Sequence, residues 1–209
     1  KALFDLGWSS EQLISGRGFS FMHDEPLIMS YGDTPASGFT AQEILNTWKE
    51  GTIADVLFGY GEERYARRIA RAIVSRREIE PIQTTIELVE IIRDAVPAAY
   101  RHPGRNRGRG ARLHFATRTF QALRIAVNSE LGMIEEGITG IWGMLPRGGR
   151  IAVITFHSTE DRLVKRFFAS LAKQGDARLL VKKPIVATQK EIIYNPSARS
   201  AKLRAVEKI

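Results

Sequence analysis

The sequence predicts an α/β fold with a helical insertion. A short apolar strand opens the chain, amphipathic helices fill its middle, and a strongly β-branched strand followed by a helix and two more strand segments closes it. In "ALFDLGWSS" the apolar run meets Asp5, Gly7 and two serines, the pattern of a strand ending in a loop. From Gly16 to Gly38 the chain is rich in Gly, Pro and Ser, yet it carries Phe19, Phe21, Met22, Leu27, Ile28, Met29 and Tyr31. Those side chains demand burial, so this segment reads as a long ordered loop and not a linker.

Four helices are expected next. "TAQEILNTW" has Thr40 followed three residues later by Glu43, a capping box. "TIADVLFGYG" places Thr52 at a cap position. In "GEERYARRIARAIVSRR" the residues Arg64, Arg67, Arg68 and Arg71 recur at i, i+3, i+4 and i+7, while Tyr65, Ile69, Ala72 and Ile73 share another face. "TTIELVEIIRDAV" runs to Pro97, where a helix must stop or kink. "YRHPGRNRGRGARLHFATR" then alternates arginine with Gly, Pro and Asn, a composition that packs no core and awaits an anionic partner.

From Thr117 one long amphipathic helix is expected through Phe120, Leu123, Val127, Leu131, Ile134, Ile138 and Ile141 to Leu145. "GRIAVITFHS" is β-branched and apolar on both faces, as a central parallel strand covered by helices should be. Ser158 with Asp161 is expected to cap a helix over "EDRLVKRFFASLAKQG". "ARLLVKKPIVAT" and "AKLRAVEKI" are strand candidates flanking the loop "YNPSARS".

Charge narrows the function. Lys and Arg number 31 against 23 acidic residues, and the isoelectric point is about 10.0. Such an excess suits a polyanion partner, or else a basic surface with no partner. No apolar run reaches the ~18 residues of a membrane span and no signal-peptide pattern opens the chain, so it reads as soluble and cytoplasmic. With no cysteine and four scattered histidines, nothing requires a metal.

Four clusters carry candidate chemistry. Asp5, Gly7, Ser9, Ser10 and Gln12 lie where open α/β sheets bind ligands, outside the carboxyl ends of strands, though a plain Asp-capped turn has the same spacing. The arginine stripe is either a solvated face, with pairs such as Glu63 to Arg67, or a phosphate-tracking face; joined to the Arg/Gly segment it favours nucleic acid. Gln121, Arg124 and Asn128 line one side of the long helix, as site residues or as the edge of its buried face. His157 stands at a strand end, but it and Ser158 point to opposite faces, which excludes a Ser-His nucleophile; "GRGFSF" lacks the Lys-Ser/Thr ending of a phosphate loop.

The segments "FDLGWSSEQL", "RGFSFMHDEPL", "ADVLFGYGEERYARRIARAIV", "HFATRTFQALRIAVNSEL", "GGRIAVITFHSTEDRLVKRFF" and "NPSARSAKLR" together resemble the bacterial small-subunit (16S) rRNA cytosine-N4 methyltransferases, which use S-adenosylmethionine. The resemblance implies a class I S-adenosylmethionine-dependent methyltransferase fold (Rossmann-like), here its C-terminal half sheet, with an inserted helical domain after strand four. It divides the chain into a methyltransferase core at 1–15 and 116–209 and an inserted RNA-recognition region at 16–115. The remaining strands are expected to pair in the order 4-5-7-6, leaving Ala2 to Asp5 as an exposed apolar edge prone to self-association. The glycine-rich loop after a first strand and the acidic residue after a second are not in this sequence, so the chain is expected to be an N-terminally truncated fragment, short by a βαβαβ half on the order of a hundred residues.

By the same resemblance Asp5 and Gln12 contact S-adenosylmethionine, Asp5, Ser9 and Ser10 are the candidate proton acceptors, and the partner is small-subunit rRNA. Arg64, Arg67, Arg68, Arg71, Arg105, Arg107, Arg109 and Arg118 are the expected RNA contacts. Departures from the family pattern are Trp8 where Val is common, "LIMSYGD" and "HFATR". Trp8 either stacks on a base or fills a pocket wall, and Ile28 and Ser30 remove charges the family often carries. A non-enzymatic RNA-binding module is the alternative reading.

Overall fold

The computed structural model describes residues 1–7, 9–101 and 114–209. In chain order its elements are β1 (Ala2–Asp5), α1 (Ser10–Leu13), α2 (Ala41–Thr47), α3 (Glu50–Gly61), α4 (Ala66–Arg77), α5 (Thr85–Ala95), α6 (Ala98–Arg101), α7 (Thr117–Val127) and α8 (Glu130–Met144). There follow β2 (Arg150–Thr155), α9 (Ser158–Gln174), β3 (Ala177–Leu179), β4 (Ile185–Val186), α10 (Gln189–Tyr194), a 3-10 turn (Pro196–Ser200) and β5 (Lys202–Lys208). Two compact units result: Lys1–Trp8 with Glu130–Ile209, and Ser9–Ser129. This grouping differs from divisions at 15/16 and 115/116, because α7 packs extensively on α3 and shares its apolar cluster.

The sheet unit is built on the order β1-β2-β5-β3, with β4 also paired to β5. Numbered as in class I methyltransferases this is the expected 4-5-7-6. β1 runs parallel to β2 from Ala2↔Ile151 to Asp5↔Ile154, whereas β5 is antiparallel to both β2 and β3. Along β2 the side chains of Ile151, Val153 and Thr155 are buried and the alternate ones only partly so, a pleat with one face against the core. That core gathers Ile134 and Ile138 of α8, Val164 and Phe168 of α9, and Val206 of β5. At the edge, Leu3 of β1 remains 64% exposed.

Several local expectations are corrected here. The segment 177–188 forms two short strands instead of one, since Pro184 and two lysines interrupt its apolar run. His157, not Ser158, is the N-cap of α9 and accepts the backbone N–H of Glu160; Asp161 turns away to an arginine. The expected continuous helix from Thr117 to Leu145 is two helices, broken at Asn128 and at Ser129, whose φ is 49°.

In the helical unit, Thr40 and Thr84 close capping boxes with Glu43 and Glu87. Thr52 caps nothing, because α3 starts two residues earlier with Lys49 as its N-cap. α4 begins only at Ala66: Glu62 sits at φ 52° after α3, and Arg64 lies in the intervening turn. The loop from Gly16 to Gly38 buries Phe19, Leu27 and Met29, and Arg17 donates to the carbonyls of Ser30 and Gly32 and pairs with Asp33. Gly18 (φ 81°) is required there, since a Cβ would lie 2.5 Å from the Pro26 carbonyl oxygen. Gly61 has the same constraint between helices, where a Cβ would stand 2.3 Å from the Arg118 carbonyl oxygen. Among the described residues no helix is long and apolar enough to cross a membrane.

Candidate functional site

Asp5 is exposed at the carboxyl end of β1, the end where parallel strands present ligand-binding loops. Pairing continues one residue further, with the Leu6 N–H donating to the Ile154 carbonyl at 3.0 Å. Gly7 then turns the chain at φ 124°, and a Cβ there would press within 3.1 Å of the Phe156 ring. An L-residue with a side chain adopts that backbone only under strain. The turn therefore holds Asp5 at the rim of the sheet.

Ser9, Ser10 and Gln12 belong to the helical unit. The Gln12 side-chain oxygen accepts the Ser9 N–H at 2.8 Å. That bond leaves the Gln12 amide NH2 as the group able to meet a ligand acceptor. Ser10 opens α1. Trp8 lies outside the described residues.

Three groups in the sheet unit, Glu130, His157 and Glu160, set one possible ligand atom each within 4.8 Å of one another. Glu160 and His157 hold each other and the start of α9. The Glu160 carboxylate accepts the N–H groups of Phe156 (2.9 Å) and His157 (3.3 Å), and its other oxygen is 3.1 Å from His157 Nε2. Burial pushes the Glu160 pKa up, but the bonds and charge from His157 and the backbone donors outweigh it and leave the group below its ordinary value. His157 thus serves the start of α9, where the sequence alone placed a ligand position.

Behind this turn Asp161 receives Arg204 in two bonds, Nε at 2.7 Å and Nη2 at 3.2 Å, with Lys202 Nζ at 3.4 Å. Burial raises Asp161, yet the guanidinium and ammonium prevail and hold it below the usual carboxylate value. Sequence reasoning missed this pair. Its signal was the two resembling segments "STEDR" and "SAKLR", which carry one partner each.

The arginine stripe is exposed but not uniform. Arg67, Arg68 and Arg71 project from α4, and Arg71 comes within 3.7 Å of Glu50. Arg64 lies over the Tyr65 ring at 4.9 Å and Arg68 at 6.0 Å. Beneath them the carboxylate of Glu63 is fully buried, accepting the Tyr65 N–H and the Tyr100 hydroxyl, each at 2.9 Å. Burial and this neighbour push the Tyr100 pKa up to about 12. Arg118 is half-buried and donates to the Glu62 carbonyl just past the end of α3. Of the remaining candidates, Arg105, Arg107 and Arg109 lie outside the described residues, as does Arg112.

On α7 the polar stripe serves the fold: the Asn128 side chain accepts the Tyr31 N–H at 2.8 Å and donates to the carbonyls of Met29 and Arg124. Gln121 donates to the Tyr60 carbonyl at 3.3 Å.

Comparison with known proteins gives one consistent result. The model of the MraW methylase family matches residues 1–209. The ribosomal RNA small subunit methyltransferase H of Heliobacterium modesticaldum is 48% identical over 223 residues, covering 99% of this chain and 68% of that protein. The protein of the same name from Geobacter sp. is 46% identical with the same coverage, and that from Leptospira interrogans serovar copenhageni is 47% identical over 207 residues, 59% of its length.

Proposed function

This chain belongs to the MraW methylase family, and from that premise we infer that it is an S-adenosylmethionine-dependent methyltransferase acting on small-subunit rRNA, with N4 of a cytosine as acceptor. The similarity over 99% of the chain to proteins named for that activity carries the reading. Such a substrate assigns its work to the cytoplasm.

S-adenosylmethionine supplies a methyl group made electrophilic by the sulfonium. The residues of this chain fit a share of its binding. An exposed carboxylate at the rim, held by a glycine turn, suits the amine and hydroxyl donors of such a cofactor. Asp5 is assigned that contact, and the free NH2 of Gln12 an acceptor on the same ligand.

The exocyclic amine of cytosine is a weak nucleophile because its lone pair is conjugated with the ring. Orientation and an acceptor beside the N–H must therefore supply much of the rate. Methylation of the amine releases one proton. Asp5, Ser9 and Ser10 are the candidates to take it. The exposed arginines Arg64, Arg67, Arg68 and Arg71 are assigned to rRNA phosphates, together with Arg105, Arg107, Arg109 and Arg118. Through the bare edge of β1 a further partner is a second copy of the chain.

Calorimetry with S-adenosylmethionine and methyl transfer to small-subunit RNA test the assignment. Asp5→Ala should weaken cofactor binding on the order of 10-fold, the loss expected for a hydrogen bond to a charged group. Unchanged affinity removes Asp5 from the contact. RNA binding with neither cofactor binding nor transfer makes the protein a binding module.

A further inference from the structure

We propose that the segment from Lys182 through β4 and α10 to the 3-10 turn is a lip that binds single-stranded RNA, stacking a base on Tyr194 and holding phosphates with Lys182, Lys183, Lys190 and Arg199. The inference rests on the methyltransferase reading and names the strand beside the target base as its ligand.

Position is the first argument. Asp5 of β1 is in register with Ile154 of β2, Ile154 with Leu203 of β5, and Leu203 with Ile185 of β4. One row of the sheet therefore joins the candidate acceptor to the lip. Three strand spacings of ~4.8 Å set them about 14 Å apart, at the same end of the sheet.

Surface chemistry is the second. α10 is capped by the Thr188 hydroxyl, which accepts the Glu191 N–H at 3.2 Å, yet none of its residues is buried. Tyr194 is 81% exposed and Ile193 69%, with Ile185 and Val186 also exposed on β4. A six-residue helix that buries nothing of its own gains little from folding onto the sheet. Exposed apolar side chains concentrated in one short segment mark a contact with something else.

Charge selects the occupant. Lys182, Lys183, Lys190 and Arg199 are all exposed and face a single acid of the segment, Glu191. Lys202 is engaged by Asp161 and is not counted. An exposed aromatic ring in a basic segment is what single strands use, because every base offers a π-face and every linkage a phosphate. The target also requires it. A cytosine amine engaged in a base pair is a hydrogen-bond donor and unavailable for methylation, so the nucleotides around it must be unstacked and held.

Fluorescence anisotropy on the protein tests the proposal, with a labelled unpaired RNA of about a dozen nucleotides and a hairpin duplex of equal length. Tyr194→Ala should lower affinity for the unpaired RNA about 10-fold and leave the hairpin nearly untouched, and Tyr194→Phe should restore it. Lys190→Glu with Arg199→Glu should flatten the salt dependence by about 1.4 in log–log slope, two phosphates' worth for a single strand. Melting temperatures should not move, since every substituted side chain is exposed. Unchanged RNA affinity and salt slope in these variants overturns the lip and leaves the methyltransferase reading standing if the parent protein transfers methyl groups. Unchanged RNA affinity with weakened binding to intact small subunits overturns it in favour of a protein contact. A parent protein that neither binds RNA nor methylates it overturns both.

Discussion

The two units reach stability by different means. The helical unit is held by one large apolar cluster from Phe19 to Val127, which outweighs the polar residues buried beside it, Ser20, Ser30, Glu63, Thr85, Thr119, Arg124 and Asn128. In the sheet unit the cluster is short, and Asp161, Arg204, Glu160, Thr155 and Glu207 are buried beside it. Glu207 alone joins Arg150 at 2.6 Å and Arg178 at 2.7 Å. Apolar burial is non-directional and tolerates exchange, whereas buried ion pairs require each partner in place. The sheet unit should therefore be the more brittle of the two.

The largest test is Phe168→Ala, which empties the biggest fully buried side chain of the sheet unit. The cost should be about 3–5 kcal/mol. Hydrogen exchange should show the amides of β2 and β5 opening well before those of α4 and α5. Equal loss of protection in both units would end the distinction.

Next in size is Asp161→Ala, which strands Arg204 with its side chain 10% exposed. About 3 kcal/mol is expected, the low end for a broken buried pair because Arg204 retains some access to water. Acid sharpens the same contrast. Asp161 and Glu160 both have folded-state pKa values below their unfolded ones. Their stabilisation is complete above the unfolded carboxylate values near 4 and is lost as pH falls through the lower folded values. A denaturation series from pH 6 to pH 2 should show the sheet unit failing first, and Asp161→Asn should flatten its acid limb.

The smallest effect belongs to the helical unit. Gly61→Ala drives a Cβ against the backbone of α7 and should cost about 2 kcal/mol, with α3 and α7 easing apart. If that loss spreads to the amides of β2, the units do not open independently.

What the sequence made legible follows the same divide. The capping box at Thr40, the strand 150–155 and the strand end at Asp5 are all local patterns, and each is where the residues placed it. The helix break at Ser129 was not legible, because a serine with positive φ has no signature in apolar periodicity. Nor was the tie of Arg118 to the Glu62 carbonyl, or of Tyr100 to Glu63, since both partners lie far apart in the chain. An arginine stripe read on a single helix divides in space, with Arg64 in a turn and its guanidinium on a tyrosine ring. Of the candidate site, the position of Asp5 was legible and the two-residue lock between Asp161 and Arg204 was not.

The parallel pairing of Ala2 with Ile151 has a consequence for synthesis. β1 leaves the ribosome about 150 residues ahead of the strand it must join, so at ~5–20 residues per second it waits on the order of 10 s. During that interval the helical unit can complete itself from contacts within its own span, while an apolar strand with open N–H and C=O groups stays available to any other chain emerging nearby. Of the two partners β1 is thus the one left waiting, and shielding of residues 2–5 until β2 emerges would raise the yield of the folded pair.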